Sequence, residues 1–162
     1  MTRILLISRC PPYPLHFGDR LIIWHLAREL SKRGYILDLL ALTQLDTDRH
    51  DIQHYQQFFH DIELFPENPR TPIMYLRRLF GAHYPQDSAS AWQANLWQAI
   101  HTKISQNQYD IVHLFGGVHV YEFAHLLEDI PTVITPYESY SLYLKRELRQ
   151  KKHLGLWMNR QI

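Results

Sequence analysis

Short apolar runs alternate with amphipathic stretches along this chain, and the alternation predicts strands that alternate with helices. Ile4–Ile7 is a continuous apolar run closed by Ser8 and a proline-rich loop, which is typical of a strand buried on both faces. A second run of strand length, Tyr35–Leu42, follows a stretch with helical spacing. The pattern therefore predicts a βαβ unit with a parallel, right-handed crossover.

The stretch between these two runs predicts a helix from Asp19 to about Arg33. Pro11, Pro12 and Pro14 exclude a helix before this point, so Asp19 is the predicted N-cap. Gly34 is the predicted stop. The apolar side chains expected on or beside the buried face are Ile22, Ile23, Leu26, Ala27 and Leu30.

The same alternation continues along the rest of the chain. Strands are predicted at Asp61–Phe65, Asp110–Leu114 and Pro131–Thr135. Helices are predicted at Pro72–Phe80, Ala91–Ile104 and Val118–Leu127, with a last one from near Ser139. The expected fold class is α/β, a Rossmann-like doubly wound parallel sheet with helices on both faces. It would occupy residues 1–150, followed by a basic and apolar tail over 151–162.

Composition narrows the class of protein. The chain has 162 residues, a formal net charge of +1 and 46% hydrophobic residues, as expected of a globular domain rather than a disordered or fibrous chain. The near-neutral charge argues against nucleic acid as a partner. Its single cysteine, Cys10, cannot form an internal disulfide, and no apolar run reaches the length of a membrane span. We expect a cytoplasmic protein, with at most peripheral contact at the inner face of a membrane.

Ligands of open parallel sheets bind beyond the carboxyl ends of the strands, so the loops there carry the candidate chemistry. The loop after the first strand ends in Phe17-Gly18-Asp19-Arg20 at a helix N-terminus, where backbone N–H groups favour a phosphate. The alternative is that Gly18 only makes a turn and Asp19 only caps the helix. The loop lacks G-x-G-x-x-G, and the chain has no Walker P-loop, which argues against a dinucleotide oxidoreductase and a P-loop NTPase.

Two further loops hold candidate residues. Gly116 and Gly117 follow the predicted fourth strand and allow close approach of a ligand, with His119 placed to contact it, whereas His113 is interpreted as a packed histidine within the strand. After the fifth strand, Glu138 can orient a sugar hydroxyl or act as a base, or it can cap the next helix together with Ser139. His50 and His54 have helical spacing without the partners of a metal site, so no metal is expected.

Several of these segments resemble a known family. The first strand, the loop Pro11-Pro12-Tyr13-Pro14 through Gly18-Asp19-Arg20, and Lys32-Arg33-Gly34-Tyr35 at the helix end resemble the opening of glycosyltransferase family 4, group 1 of the GT-B class. Tyr109–His113 and Pro131–Thr135 resemble that family's fourth and fifth strands in order and spacing. The resemblance implies one half of a GT-B fold, the N-terminal acceptor-binding domain of a retaining enzyme.

The resemblance also implies roles for single residues. Gly18 matches the glycine that approaches the donor phosphates, and Asp19-Arg20 matches a variant of that loop. Gly116 and Gly117 match the acceptor loop, and His119 and Ser139 are placed with them as acceptor-binding residues. The implied catalytic residues are Glu138 and Tyr137, but Tyr137 stands where many members have histidine, and Thr135–Ser141 matches the Asp-x-x-Asp-x-Ser pattern of other members only in part.

The implied donor is a UDP- or GDP-sugar, held in such enzymes by a C-terminal domain with no counterpart in these residues. The implied acceptor is a sugar or glycolipid of cell-envelope glycan or lipid-linked sugar synthesis. We therefore expect a hexosyltransferase when the chain acts with a donor domain, and an inactive chain alone. One alternative is a non-enzymatic α/β binding or interaction module, with Leu154, Leu156 and Trp157 at the partner interface. Another is a small flavodoxin-like or nucleotide-binding α/β protein.

Overall fold

The computed structural model describes residues 1–68, 85, 87–106, 109–136 and 145–146. Within them, the strands are β1 (Arg3–Ser8), β2 (Ile36–Thr43), β3 (Asp61–Pro66), β4 (Ile111–Phe115) and β5 (Thr132–Thr135). The α-helices are α1 (Gly18–Lys32), α2 (Ala94–Gln106) and the single turn α3 (Val118–Tyr121). Segments of 3₁₀ helix cover Asp46–His54, Gln56–Phe58 and Ala124–Leu127.

The strands form one parallel sheet in the order β3-β2-β1-β4-β5. Ile7 of β1 aligns with Leu40 of β2 on one side and with Leu114 of β4 on the other. The chain builds outward from β1 to β2 and β3, then returns to the other side of β1 through β4. The order of the strands therefore reverses between β1 and β4, which is the topological switch point of a Rossmann-like sheet.

Helices cover both faces of the sheet, because side chains alternate along strands that are buried on both sides. On one face, Leu5 and Ile7 of β1 belong to a core cluster with Leu96 and Ile100 of α2. On the other face, Leu6 of β1 belongs to a cluster with Ile23 of α1. The predicted fold class, an α/β Rossmann-like parallel sheet with helices on both faces, is confirmed.

The first helix differs from its prediction at its start and on its surface. It begins at Gly18, with Phe17 at the N-cap and no side-chain cap, so the prediction of Asp19 as N-cap is wrong and Asp19 lies in the first turn. Ile22, predicted to be buried, is 52% exposed, because the buried stripe runs through Arg20, Ile23 and Ala27 at spacings of three and four. Gly34 ends the helix with a φ of 80°, as predicted.

The predicted helix Val118–Leu127 is also wrong in part. The chain forms α3, a turn at Glu122 and Phe123, and then a 3₁₀ segment. Glu122 is buried and accepts a hydrogen bond from the backbone N–H of Trp92, which anchors this turn to the segment before α2. The i to i+3 hydrogen bond from Phe123 N–H to the carbonyl of Val120 tightens the backbone and turns both side chains into the core.

Other predicted elements fall into two groups. The longer helix predicted at Ala91–Ile104 is present as α2, three residues later at its start and two later at its end. The helices predicted at 72–80 and from near 139, and the tail 151–162, lie outside the described residues. In the described part of the chain, no helix has both the length and the apolar character to cross a membrane.

A buried carboxylate organises the amino-terminal edge of the sheet. Asp38 in β2 is fully buried, and its Oδ2 accepts hydrogen bonds from Arg3 Nη2 at 2.7 Å and from the Tyr109 hydroxyl at 2.7 Å. Its Oδ1 lies 3.1 Å from Nδ1 of His60. This network stabilises the edge of the sheet opposite to the one where ligands of such folds bind.

Candidate functional site

The loops after β1 and β4 meet at the switch point of the sheet. The backbone N–H of Arg9 donates to the carbonyl of Phe115 at 3.2 Å, and that of Gly116 donates to the carbonyl of Thr135 at 3.2 Å. Gly116 has a φ of 140°, and a Cβ added there would lie 3.1 Å from Cγ of Arg9. The absence of a side chain at Gly116 therefore lets the stem of Arg9 pass directly against the backbone of the second loop.

The first loop is fixed by its own hydrogen bonds. The Ser8 hydroxyl donates to the carbonyl of Cys10 at 2.8 Å and accepts from the backbone N–H of Cys10 at 3.3 Å. The buried thiol of Cys10 donates to Oδ2 of Asp19 at 3.5 Å. The Asp19 carboxylate also accepts from the backbone N–H of Arg20 at 2.9 Å. Asp19 thus ties the start of the loop to the first turn of α1.

The guanidinium of Arg20 is paired with a carboxylate rather than open to a ligand. The side chain of Arg20 is 3% exposed, and its Nη1 and Nη2 atoms lie 2.5 Å and 3.3 Å from the two carboxylate oxygens of Asp48. Nη1 also donates to the carbonyl of Tyr13. Asp48 Oδ2 in turn accepts from the backbone N–H groups of Gln44 and Leu45. The ion pair joins the first turn of α1 to the segment after β2, and the bond to Tyr13 adds the first loop, so this geometry does not present the Arg20 guanidinium to a phosphate.

The glycines predicted to approach a ligand divide into two kinds. A Cβ added at Gly18 or at Gly117 would meet nothing within 4 Å, so space is open beside both. Gly116, by contrast, is in close contact with Arg9 and has a backbone conformation that favours glycine. The structure brings Gly116 and Gly117 next to the first loop. Ligand binding at Gly18 stays a prediction.

His113 lies within β4 and points to a neighbouring strand. Its Nε2 is 2.8 Å from the hydroxyl oxygen of Thr135 in β5, and burial lowers the pKa of the imidazole. The neutral ring is therefore favoured in the folded protein. This confirms the interpretation of His113 as a packed, hydrogen-bonded histidine.

The other predicted site residues are not placed by the structure. Tyr137, Glu138 and Ser139 lie outside the described residues, and the side chain of His119 is not described, although its backbone lies in α3. Their proposed roles stay predictions. Among the described residues, no group of three His, Cys, Asp or Glu side chains is arranged to hold a metal ion.

Arg9 was missed as a candidate by the sequence analysis. It is half-buried at the switch point, and its Nε atom is buried without a hydrogen-bond acceptor among the described residues. The other buried or half-buried arginines in this part of the chain each pair with a carboxylate: Arg3 with Asp38, Arg20 with Asp48, and Arg28 with Glu29. One signal was available, because Arg9 directly follows the last residue of an apolar strand, at the edge where ligands of such folds bind.

Fold and site together define an α/β Rossmann-like domain whose candidate ligand edge lies between the loops after β1 and β4. No protein-family model matches the chain, and no curated protein matches it. One solved structure that it resembles is the C-terminal domain of a hydrogenase from Pyrococcus furiosus, with 14% identity over 82% of this chain and 89% of that chain. The TM-score is 0.47, a likeness too remote to carry an argument about function.

Proposed function

We propose that this chain is the acceptor-binding domain of a nucleotide-sugar-dependent glycosyltransferase of the GT-B class, which acts on a sugar or glycolipid acceptor. The observation that carries the proposal is the contact between Arg9 and Gly116. It joins two loops that resemble the ligand-binding loops of family 4 at the switch point of the sheet. The donor, a UDP- or GDP-sugar, would be held by a second domain.

The geometry of the first loop supports this proposal. Hydrogen bonds within Ser8–Cys10 and the ion pair between Arg20 and Asp48 hold the loop in one arrangement, so a ligand would meet a preformed surface. Preformed sites lose less conformational entropy on binding than mobile loops do. Open space beside Gly18 and Gly117 leaves room for an acceptor at the same edge.

In this mechanism the domain would bind and orient the acceptor hydroxyl while the donor domain supplies the sugar. The diphosphate would leave from the donor, and positive groups and backbone dipoles would stabilise the charge that develops on it. Glu138 and Tyr137 are the proposed groups beside the reacting hydroxyl, and His119 and Ser139 are proposed to contact the acceptor. Fixing the acceptor in one orientation would be the contribution of this chain.

Transfer of radiolabel tests the proposal directly. The full-length gene product that contains this chain is incubated with labelled UDP-glucose or GDP-mannose and a membrane lipid extract as the source of acceptor. We expect label in the lipid or glycan fraction, and a raised acceptor KM for Gly116→Ala. Gly34→Ala is the matched control, because Gly34 also has a positive φ but lies at the end of α1, away from this edge. No transfer from either donor would refute the proposal.

One observation favours a second candidate, a non-enzymatic interaction module. Four large apolar side chains near the start of α1 are exposed by more than a third: those of Leu15, Phe17, Leu21 and Ile22. Clustered exposed apolar residues are a feature of protein interfaces. Sedimentation of the chain over a range of concentrations distinguishes the two. Self-association that Ile22→Lys abolishes, together with absence of transfer, would favour the interaction module.

A further inference from the structure

We infer that Arg9 anchors a binding site for a phosphate group at the switch point between β1 and β4. The inference rests on the proposed function in one respect, that ligands bind at this edge of the sheet. It goes further by naming a residue that holds the phosphate of the ligand. The resemblance assigns no role to Arg9.

The surroundings of Arg9 provide the first argument. Its backbone N–H is bound to the carbonyl of Phe115, so the residue is fixed at the end of the sheet. Its Cβ, Cγ and Cδ atoms lie 3.1 to 3.4 Å from the position that a Cβ on Gly116 would take. The backbone and the stem of the side chain are therefore held in place and Nε is buried, which leaves the two Nη groups of the guanidinium as the part that can meet a ligand.

The second argument concerns charge. No described carboxylate lies within 4 Å of Arg9, whereas the other buried or half-buried arginines of the described ranges each have one. Arg9 Nε is closed to solvent, so the charge of this half-buried guanidinium can be paired only through its two Nη groups. An anion that accepts one hydrogen bond from each Nη group would pair that charge.

The chemistry of the site favours phosphate among the possible anions. The planar fork of a guanidinium matches two oxygens of a phosphate, and arginine is enriched where phosphate is recognised through two parallel hydrogen bonds. The open space beside Gly117 would let a tetrahedral group approach the backbone of the second loop. Two sources carry this group in the proposed reaction, the diphosphate of a nucleotide sugar and the phosphate of a lipid-linked acceptor.

The test measures binding to the 162-residue chain by calorimetry and by NMR of the Arg9 Nε–H signal. The probes are inorganic pyrophosphate, UDP, and the short-chain lipid dihexanoyl phosphatidic acid. We expect at least one probe to bind and to shift the signals of Arg9 Nε–H and the Gly116 amide. The tightest probe identifies the source, nucleotide or lipid. Equal affinity for all three would indicate recognition of the phosphate group alone.

Two variants and one control make the result specific. Arg9→Met should weaken binding about ten- to a hundredfold, and Arg9→Lys should weaken it less, because lysine keeps the charge but loses the fork. Arg28→Met is the control, since Arg28 is half-buried on α1 and pairs with Glu29 at 3.0 Å. If Arg9→Met does not fold, Arg9→Lys gives the comparison.

The inference is overturned if none of the probes binds, or if the Arg9 variants bind as tightly as the unmodified chain. These assays involve no sugar transfer, so they fail independently of the proposed function. Phosphate binding without any transferase activity would support the phosphate site and refute the proposed glycosyltransferase activity. Sugar transfer that Arg9→Lys and Arg9→Met leave unchanged would support the glycosyltransferase activity and refute the phosphate site at Arg9.

Discussion

The hydroxyl of Tyr109 donates a hydrogen bond of 2.7 Å to the buried carboxylate of Asp38, and so joins the start of β4 to β2 across β1. The contact spans 71 residues of sequence. Arg3, the first residue of β1, binds the same oxygen of Asp38. Three strands of the sheet are therefore linked at their amino-terminal ends by one charged group, at the edge opposite to the candidate site.

Removal of the Tyr109 hydroxyl should destabilise the fold. Tyr109→Phe leaves the buried carboxylate with one donor fewer, and we expect a loss of about 1–3 kcal/mol in the free energy of unfolding. Tyr55→Phe is a matched control, because the Tyr55 hydroxyl is buried without a hydrogen-bond partner among the described residues. Its removal should be neutral or stabilising. Urea denaturation of both variants measures the difference, and equal losses would contradict the prediction.

Acid should weaken the same network. Burial works to raise the pKa of Asp38, but hydrogen bonds from Tyr109, Arg3 and His60 outweigh it and hold the pKa below its usual value of 3.8. The stability that the ionised carboxylate contributes is therefore fully present above pH 3.8 and is lost as the pH falls through the lower pKa of the folded state. Unfolding free energies measured from pH 5 downward should fall less steeply in Asp38→Asn than in the unmodified chain.

His113 should make the stability of the fold depend on pH in a higher range than Asp38 does. Burial lowers the pKa of His113 from its usual 6.5, so the unfolded chain binds a proton at a higher pH than the folded one. The stability contributed by the neutral ring is complete above about pH 6.5 and declines as the pH falls below that value. His113→Gln removes the titrating group and should flatten the stability profile between pH 7 and pH 5. An unchanged slope in that range would mean that His113 titrates normally.

Strand positions could be predicted from the sequence because parallel strands buried on both faces appear as continuous apolar runs. Ile4–Ile7 and Tyr35–Leu42 are such runs, and they match β1 and β2 to within a residue or two. It was harder to predict which side chains of α1 are buried. Ile22 and Ile23 are adjacent and equally apolar, and only packing against the sheet decides that Ile23 is buried and Ile22 exposed.

Less of the site could be predicted. Sequence position alone places Gly116 directly after β4, but it does not indicate that Arg9 is the residue packed against it. Arg20 illustrates the opposite case. Its place at a helix N-terminus suggests a phosphate ligand, yet Asp48, 28 residues further on, takes its guanidinium in an ion pair. Both outcomes depend on long-range contacts that local pattern does not encode.

The contact between Arg9 and Gly116 predicts a difference in stability between alanine substitutions at two glycines that both have a positive φ. Gly34→Ala introduces a side chain at a φ of 80° with nothing within 4 Å, so we expect it to cost about 1–2 kcal/mol from backbone strain alone. Gly116→Ala places a methyl group 3.1 Å from Cγ of Arg9 at a φ of 140°. It should add the cost of moving the Arg9 side chain to a strain of order 1–3 kcal/mol.

Two measurements separate these effects. Urea denaturation should show a larger loss of stability for Gly116→Ala than for Gly34→Ala. NMR should show a displaced Arg9 Nε–H signal in Gly116→Ala, whereas Gly34→Ala leaves that signal unchanged because Gly34 lies at the far end of α1. If both variants lose equal stability and the Arg9 signal does not move, Arg9 is not packed on Gly116. The two loops would then lack the contact on which the proposed ligand edge depends.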